Sequence, residues 1–301
     1  MNASMLPLFA STFLAKRLRG MAEALQDRAD RIDARRSLTE AHREVLQSNA
    51  PLRDKHKGQT AYVIVNGPSL AEQDIMHLKD AVTFVVSGFW KHDAVLRWQP
   101  TYYSLLDRNF FTDTPATRAF YKSLHERIHG STYFVPLFRG HDAVVSRKIL
   151  PMDRTHFVAT MGWQTPGNDL THIVQSFAGV SSFALSQAIY MGCNPIYLLG
   201  FDHDYLANRG LDRHFYKGGT IQGHQHTNVP LADRIPYDEE MRANTRLWTN
   251  YRVLKAAAEH QGIQIFNATR GGYLDVFDRV DYQTLRQPAD SAAVAGATAV
   301  P

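Results

Sequence analysis

Between residues 61 and 266, short apolar runs rich in β-branched residues alternate with polar or amphipathic segments of helical length. That alternation constrains the fold more than any other feature of the chain. Strands are expected over 61–65, 82–86, 101–105, 195–199 and 263–266, with a weaker case over 132–135. Helices are expected over 114–128, 180–191 and 237–260. The second carries small residues (Ala184, Ser186, Ala188) suited to close packing on a sheet. The third opens with Asp238, Glu239 and Glu240, acidic side chains that favour a helix N-terminus. Strand and helix in alternation predict an α/β, Rossmann-like, mostly parallel sheet with helices on both faces. A length of 301 residues suits one large domain with appendages. Residues 1–51 read as an N-terminal helical segment, 52–286 as the α/β domain, and 287–301 as an alanine-rich, disordered tail.

The N-terminal segment is expected to be an amphipathic helix, since no glycine or proline intervenes between Met21 and Asn49. Leu14, Leu18, Met21, Leu25 and Ile32 recur at spacings of three, four and seven and share one face. Two placements are open: packing on the domain or a second subunit as a homo-oligomer, or peripheral contact with a membrane beside Lys16, Arg17 and Arg19. No run reaches the roughly 18 apolar residues that a spanning helix needs, and the basic residues follow the apolar run 6–15 rather than precede it as in a secretory signal. Cys193 is the single cysteine, so no intramolecular disulfide and no four-cysteine zinc site can form. These features predict a cytoplasmic protein, with the inner membrane face as an alternative station. A net charge of +4 without a dense basic stripe argues against nucleic acid as the partner.

In parallel sheets ligands gather at the carboxyl ends of strands, so the residues just beyond each run carry the functional expectation. The first run leads into Asn66-Gly67-Pro68-Ser69-Leu70. Gly67 lacks a β-carbon where a ligand could approach, Pro68 suits a first helical position, and Asn66 and Ser69 bring short polar groups to a helix N-terminus that favours anions. The turn reads as a phosphate seat or as an ordinary capped turn. Neither the lysine-containing P-loop nor the three-glycine dinucleotide fingerprint is present in the sequence. Ser87 ends the second run, Asp107 follows the third, Gly179 precedes a helix, and Asp202 and Tyr205 follow the run 195–199. Thr269 and Arg270 follow the last. His203, His214, His224 and His226, with Asp202 and Asp204, admit a metal cluster, but no helical His-Glu-x-x-His pair supports one. A single histidine as general base fits better, and His214, beside Phe215 and Tyr216, is the first candidate.

Asp54-Lys55-His56-Lys57-Gly58 followed by Asn66-Gly67-Pro68-Ser69-Leu70 resembles the opening of the 6-hydroxymethylpterin diphosphokinase MptE-like family. Tyr190-Met191-Gly192-Cys193 leading to Gly200, Asp202 and His203, then His214-Phe215-Tyr216 and Asn267-Ala268-Thr269, are similar to it as well. That family is related in fold to bacterial sialyltransferases of glycosyltransferase family 42. The resemblance implies a nucleotide-sugar-dependent glycosyltransferase of surface polysaccharide synthesis, taking a nucleotide-activated donor, CMP-linked sugars included, to a glycan or lipid-linked acceptor without a cofactor. The alternatives are an ATP-dependent diphosphokinase using Mg2+ on Asp107 and Asp202, and a non-catalytic nucleotide-binding subunit. On the first reading His214, Asp202 and Tyr216 are catalytic. Asn66, Gly67, Pro68, Ser69, Ser87, Asp107, Gly179, Tyr205, Thr269 and Arg270 line the nucleotide.

Overall fold

The computed structural model describes scattered positions between 17 and 36, and residues 38–161, 168–208, 214–217 and 236–286. Its centre is one sheet made of β1 (Ala61–Ile64), β2 (Val82–Val86), β3 (Tyr102–Ser104), β4 (Thr132–Pro136), β5 (Thr155–Val158), β6 (Ile196–Leu199), β7 (Ile265–Asn267) and β8 (Asp278–Arg279). The strands lie in the order β5-β4-β3-β2-β1-β6-β7-β8, and every pairing is parallel, beyond the expected mostly parallel sheet. In register, Val63 lies between Phe84 of β2 and Leu198 of β6.

Alternate residues feed two separate cores. Ala61, Val63, Phe84, Tyr102, Phe134, Ile196 and Leu198 pack beneath α4 (Val180–Tyr190) and α5 (Tyr237–His260). Tyr62, Ile64, Val85, Tyr103, Tyr133, Val135 and Phe157 pack on the opposite face with Leu46 of α1 (Glu40–Gln47), α2 (Pro115–Arg127) and α3 (Leu137–Arg147). Cover on both sides explains why the strands read as continuous apolar runs instead of alternating ones. Each fully buried aliphatic or phenyl side chain contributes roughly 1.5–3 kcal/mol. From Ser181 to Tyr190 α4 is buried all round, because it is sandwiched between the sheet and α5.

Three expectations need correction. The stretches after β1 and β2 form short 3-10 turns (Pro68–Glu72, Met76–Asp80, Phe89–Lys91, Asp93–Leu96) and not α-helices. The N-terminal helix is not continuous to 49. Leu38 and Thr39 are non-helical, and Thr39 caps α1, accepting the His42 N–H on its hydroxyl. Leu18, Met21, Leu25 and Ile32 are helical, but they are exposed rather than packed on the domain. Leu14 and the tail 287–301 lie outside the described residues. Among the described residues no helix is long and apolar enough to cross a membrane.

Candidate functional site

β1 is the topological switch point. The chain moves outward from it through β2 to β5, then returns to pair β6 on its other side. The connections on the two sides leave the rim in opposite directions, and in such sheets the carboxyl ends of the strands at the switch point, here β2, β1 and β6, are where ligands gather. Asn66, Ser87, Asp202 and His203 all stand at that rim, and each is at least nine-tenths buried.

The Asn66–Ser69 turn already holds an anion, and it belongs to the chain itself. Ser69 donates its backbone N–H to Asp202 Oδ1 at 3.0 Å and its hydroxyl to Asp202 Oδ2 at 2.8 Å. A β-carbon on Gly67 would overlap the Asp202 carboxylate and the Gly200 carbonyl, so Gly67 makes room for this internal carboxylate. The donors expected to hold a ligand phosphate are thus engaged within the protein. Burial raises the Asp202 pKa, and the two Ser69 bonds pull it back down.

The loop after β7 fastens Asp202 in place. Tyr273 donates its N–H to the Asp202 carbonyl at 2.7 Å, and Phe201 donates its N–H to Thr269 Oγ1 at 2.9 Å. Asn267 shapes that loop by accepting from Thr269 N–H and donating to the Leu274 carbonyl. Thr269 therefore serves the backbone. Arg270 pairs with Glu72 at 2.6 Å on the exposed surface, away from the expected phosphate position. Asp107, half-buried beyond β3, caps its own turn by accepting the Asn109 N–H at 2.8 Å. Asp107 and Asp202 are each engaged by the backbone of a separate turn. Among the described residues no group of three or more His, Cys, Asp or Glu is placed to hold a metal, and His224 and His226 lie outside them.

Polar atoms without partners remain on the β1–β2 side of the rim. Asn66 donates to the Val86 carbonyl at 3.2 Å, but its Oδ1 has no hydrogen-bond partner among the described residues, and neither has Ser87 Oγ. Ser87 adopts a left-handed φ of 45°, which turns its side chain out of the strand's alternation. Over this rim lies the segment 214–217. Phe215 donates its N–H to the Asn66 carbonyl at 2.9 Å, and Tyr216 sits where a β-carbon on Gly88 would otherwise be. His214 stacks on Tyr216 with ring centroids 5.0 Å apart, and Lys91 Nζ lies 4.2 Å from the Tyr216 ring centroid. Burial raises the Tyr216 pKa and keeps it a neutral hydroxyl. The structure brings Asn66, Ser87, His214 and Tyr216 together.

The N-terminus of α4, a helix that packs over β1, β2 and β3, supplies further groups. Gly179 is its N-cap and no side chain among the described residues caps it, which leaves the first-turn N–H groups without an intrahelical acceptor. Ser181, in that turn, bonds the Tyr251 hydroxyl at 2.7 Å, and Tyr251 bonds His203 Nε2 at 2.7 Å. Phe201, Tyr205, Trp248 and Tyr251 surround the His203 ring, with centroids 5.8, 5.8, 5.6 and 5.5 Å from it respectively. Desolvation in this box pushes His203 down to about 3, so it is neutral near pH 7. Its Nδ1 has no partner among the described residues. Asn250 braces the approach to α4, accepting the Ala178 N–H at 2.8 Å and donating to Gln175 and the Ser176 carbonyl.

Sequence reasoning placed Tyr205 on a phosphate, whereas the structure places it against His203. It did not find the Ser181–Tyr251–His203 chain at all. The available signal was His203 itself, directly after Asp202, which the metal-cluster reading absorbed.

These features define an α/β protein with an all-parallel sheet and buried polar side chains at the switch point. No family model matches the chain, and no curated protein matches it in sequence. Among solved structures it is similar to the sialyltransferase CST-II, whose structure was determined in complex with a trisaccharide acceptor and CMP. The match has 13% identity, covers 74% of this chain and 86% of that one, and has a TM-score of 0.41.

Proposed function

We propose that this chain is a transferase that binds a nucleotide-activated donor at the switch point and passes its sugar to a hydroxyl of a glycan or lipid-linked acceptor. CMP-linked sugars are the donor class to test first. One observation carries the reading: Asn66 Oδ1 and Ser87 Oγ are buried at the ends of β1 and β2 without partners among the described residues, and the helix packed over those strands, α4, has an uncapped N-terminus. Buried polar atoms left unsatisfied cost about 1–3 kcal/mol each, a cost that a ligand's complementary groups remove.

In this scheme the N–H groups after Gly179 receive the phosphate and Asn66 and Ser87 receive the nucleoside. His214 takes the proton of the acceptor hydroxyl as that oxygen forms its bond to the anomeric carbon. The bond from the anomeric carbon to the phosphate oxygen breaks, and the nucleotide leaves with the electron pair. Tyr216, held neutral by burial, supplies an O–H to the departing phosphate. One such donor is worth about 3 kcal/mol and a positioned base about 10²–10⁴-fold. Asp202 acts as a brace, because its carboxylate is spent on Ser69.

Calorimetric titration with CMP, UDP, GDP and ATP tests the reading. One nucleotide should bind, and Asn66→Ala and Ser87→Ala should each weaken it roughly tenfold. Failure of all four to bind, or binding unaffected by both substitutions, sinks the proposal.

A further inference from the structure

His203 is a left-handed residue, with φ 46°, locked in an aromatic box, and it has one partnered ring nitrogen and one without a partner among the described residues. Ser181 Oγ, Tyr251 Oη and His203 Nε2 form a chain of two 2.7 Å bonds. Each hydroxyl has a single proton, so the chain has two self-consistent directions. In one, Ser181 donates to Tyr251 and Tyr251 donates to His203 Nε2, which must then be bare, with the ring proton on Nδ1. In the other, His203 Nε2–H donates to Tyr251 and Tyr251 donates to Ser181, which frees the Ser181 proton for something else.

What the uncapped end of α4 attracts decides between them. Ser181 belongs to the turn whose N–H groups lack acceptors, and that turn favours an anion. A phosphate oxygen accepts but does not donate, so the Ser181 hydroxyl must point its proton at the phosphate. The second direction follows along the whole chain.

We propose that Ser181, Tyr251 and His203 act as one directional hydrogen-bond relay: an anionic ligand group at the N-terminus of α4 fixes His203 as the Nε2–H tautomer and leaves its Nδ1 as an acceptor for a ligand hydroxyl. This inference rests on the switch-point site proposed above and names its ligand class more closely, as a phosphate-bearing molecule that also offers a hydroxyl. Tyr251 and His203 are positioning residues here, since Ser181 alone touches the anion. The Ser181 and Tyr251 protons stay on their own oxygens and only change the partner they point to, while His203 gives its Nδ1 proton to solvent and takes one from solvent on Nε2, so the net charge is unchanged.

The test is nitrogen-15 NMR of the histidine-labelled full chain, in which the two tautomers give distinct ring-nitrogen shifts, read with CMP, with inorganic phosphate and with uncharged cytidine. In the CMP or phosphate complex His203 should carry its proton on Nε2, and cytidine should not impose that state. Ser181→Ala removes Tyr251's acceptor, so the Tyr251 proton turns to His203 Nε2, the ring proton moves to Nδ1, and CMP affinity falls roughly tenfold. In Tyr251→Phe the tautomer should no longer respond to CMP. CMP binding with His203 protonated on Nδ1, or an unchanged tautomer in Ser181→Ala, overturns the relay and leaves the nucleotide site standing. If CMP fails to bind but phosphate binds and sets Nε2–H, the relay stands and the nucleotide reading falls. If neither binds, the relay falls as well.

Discussion

The buried His203 predicts a specific acid sensitivity. Its ordinary pKa of 6.5 applies in the unfolded chain, and the folded value is pushed down to about 3 by desolvation. Between those values the unfolded chain binds a proton that the folded protein refuses. The contribution is complete above the unfolded value and is lost as pH falls through the window. The full loss is about 5 kcal/mol below pH 3, and roughly half of it is already gone near pH 4.5. His56, His92 and His156 are also lowered by burial, so the wild-type slope is composite. His203→Gln isolates the term: a glutamine does not titrate, and the other histidines are common to both proteins. Urea unfolding of both proteins at about pH 7 and about pH 4.5 gives four free energies. The wild type should lose roughly 2–3 kcal/mol more than the variant over that interval. A double difference under about 1 kcal/mol refutes the assignment of His203 as a dry, neutral group.

Two further outcomes follow from the turn geometry. Gly67→Ala places a β-carbon on the Asp202 carboxylate and the Gly200 carbonyl, neither of which has room to move, so a loss of about 3 kcal/mol or more is expected in the same urea assay; a wild-type midpoint contradicts it. Arg270→Ala should change stability by less than about 1 kcal/mol and leave CMP affinity unchanged, since its pairing with Glu72 is solvent-exposed, and a tenfold loss of affinity would return Arg270 to the phosphate.

The centre of the sheet was legible because β1, β2 and β6 are buried on both faces and must be written almost wholly in apolar letters. The edges were not. β5 carries His156, which looks out of place in a strand until it is seen bonding Asn49 Oδ1 at 3.0 Å. β8 is two exposed residues, too short to leave a pattern. α3 starts directly at Pro136 without a side-chain cap and contains Gly140, which reads as a breaker but sits against Phe111 and Val135. At the site, the rim positions Asn66, Ser87 and Asp202 could be named because each lies within three residues of a strand's carboxyl end. The roles could not be named: Ser69's capture of Asp202 spans 133 residues, and the links from Tyr251 to His203 and Ser181 span 48 and 70. Nothing in local spacing reports such pairings.

The carboxylate tethered in the Asn66–Ser69 turn has a consequence for selectivity. A tethered group competes at an effective concentration that a free solute rarely matches, on the order of millimolar or above. Inorganic phosphate therefore meets a cradle that is already taken, and discrimination among phosphorylated ligands passes to the N-terminus of α4. Competition by phosphate is thereby confined to that one helix end, and the Asn66–Ser69 turn takes no part in it.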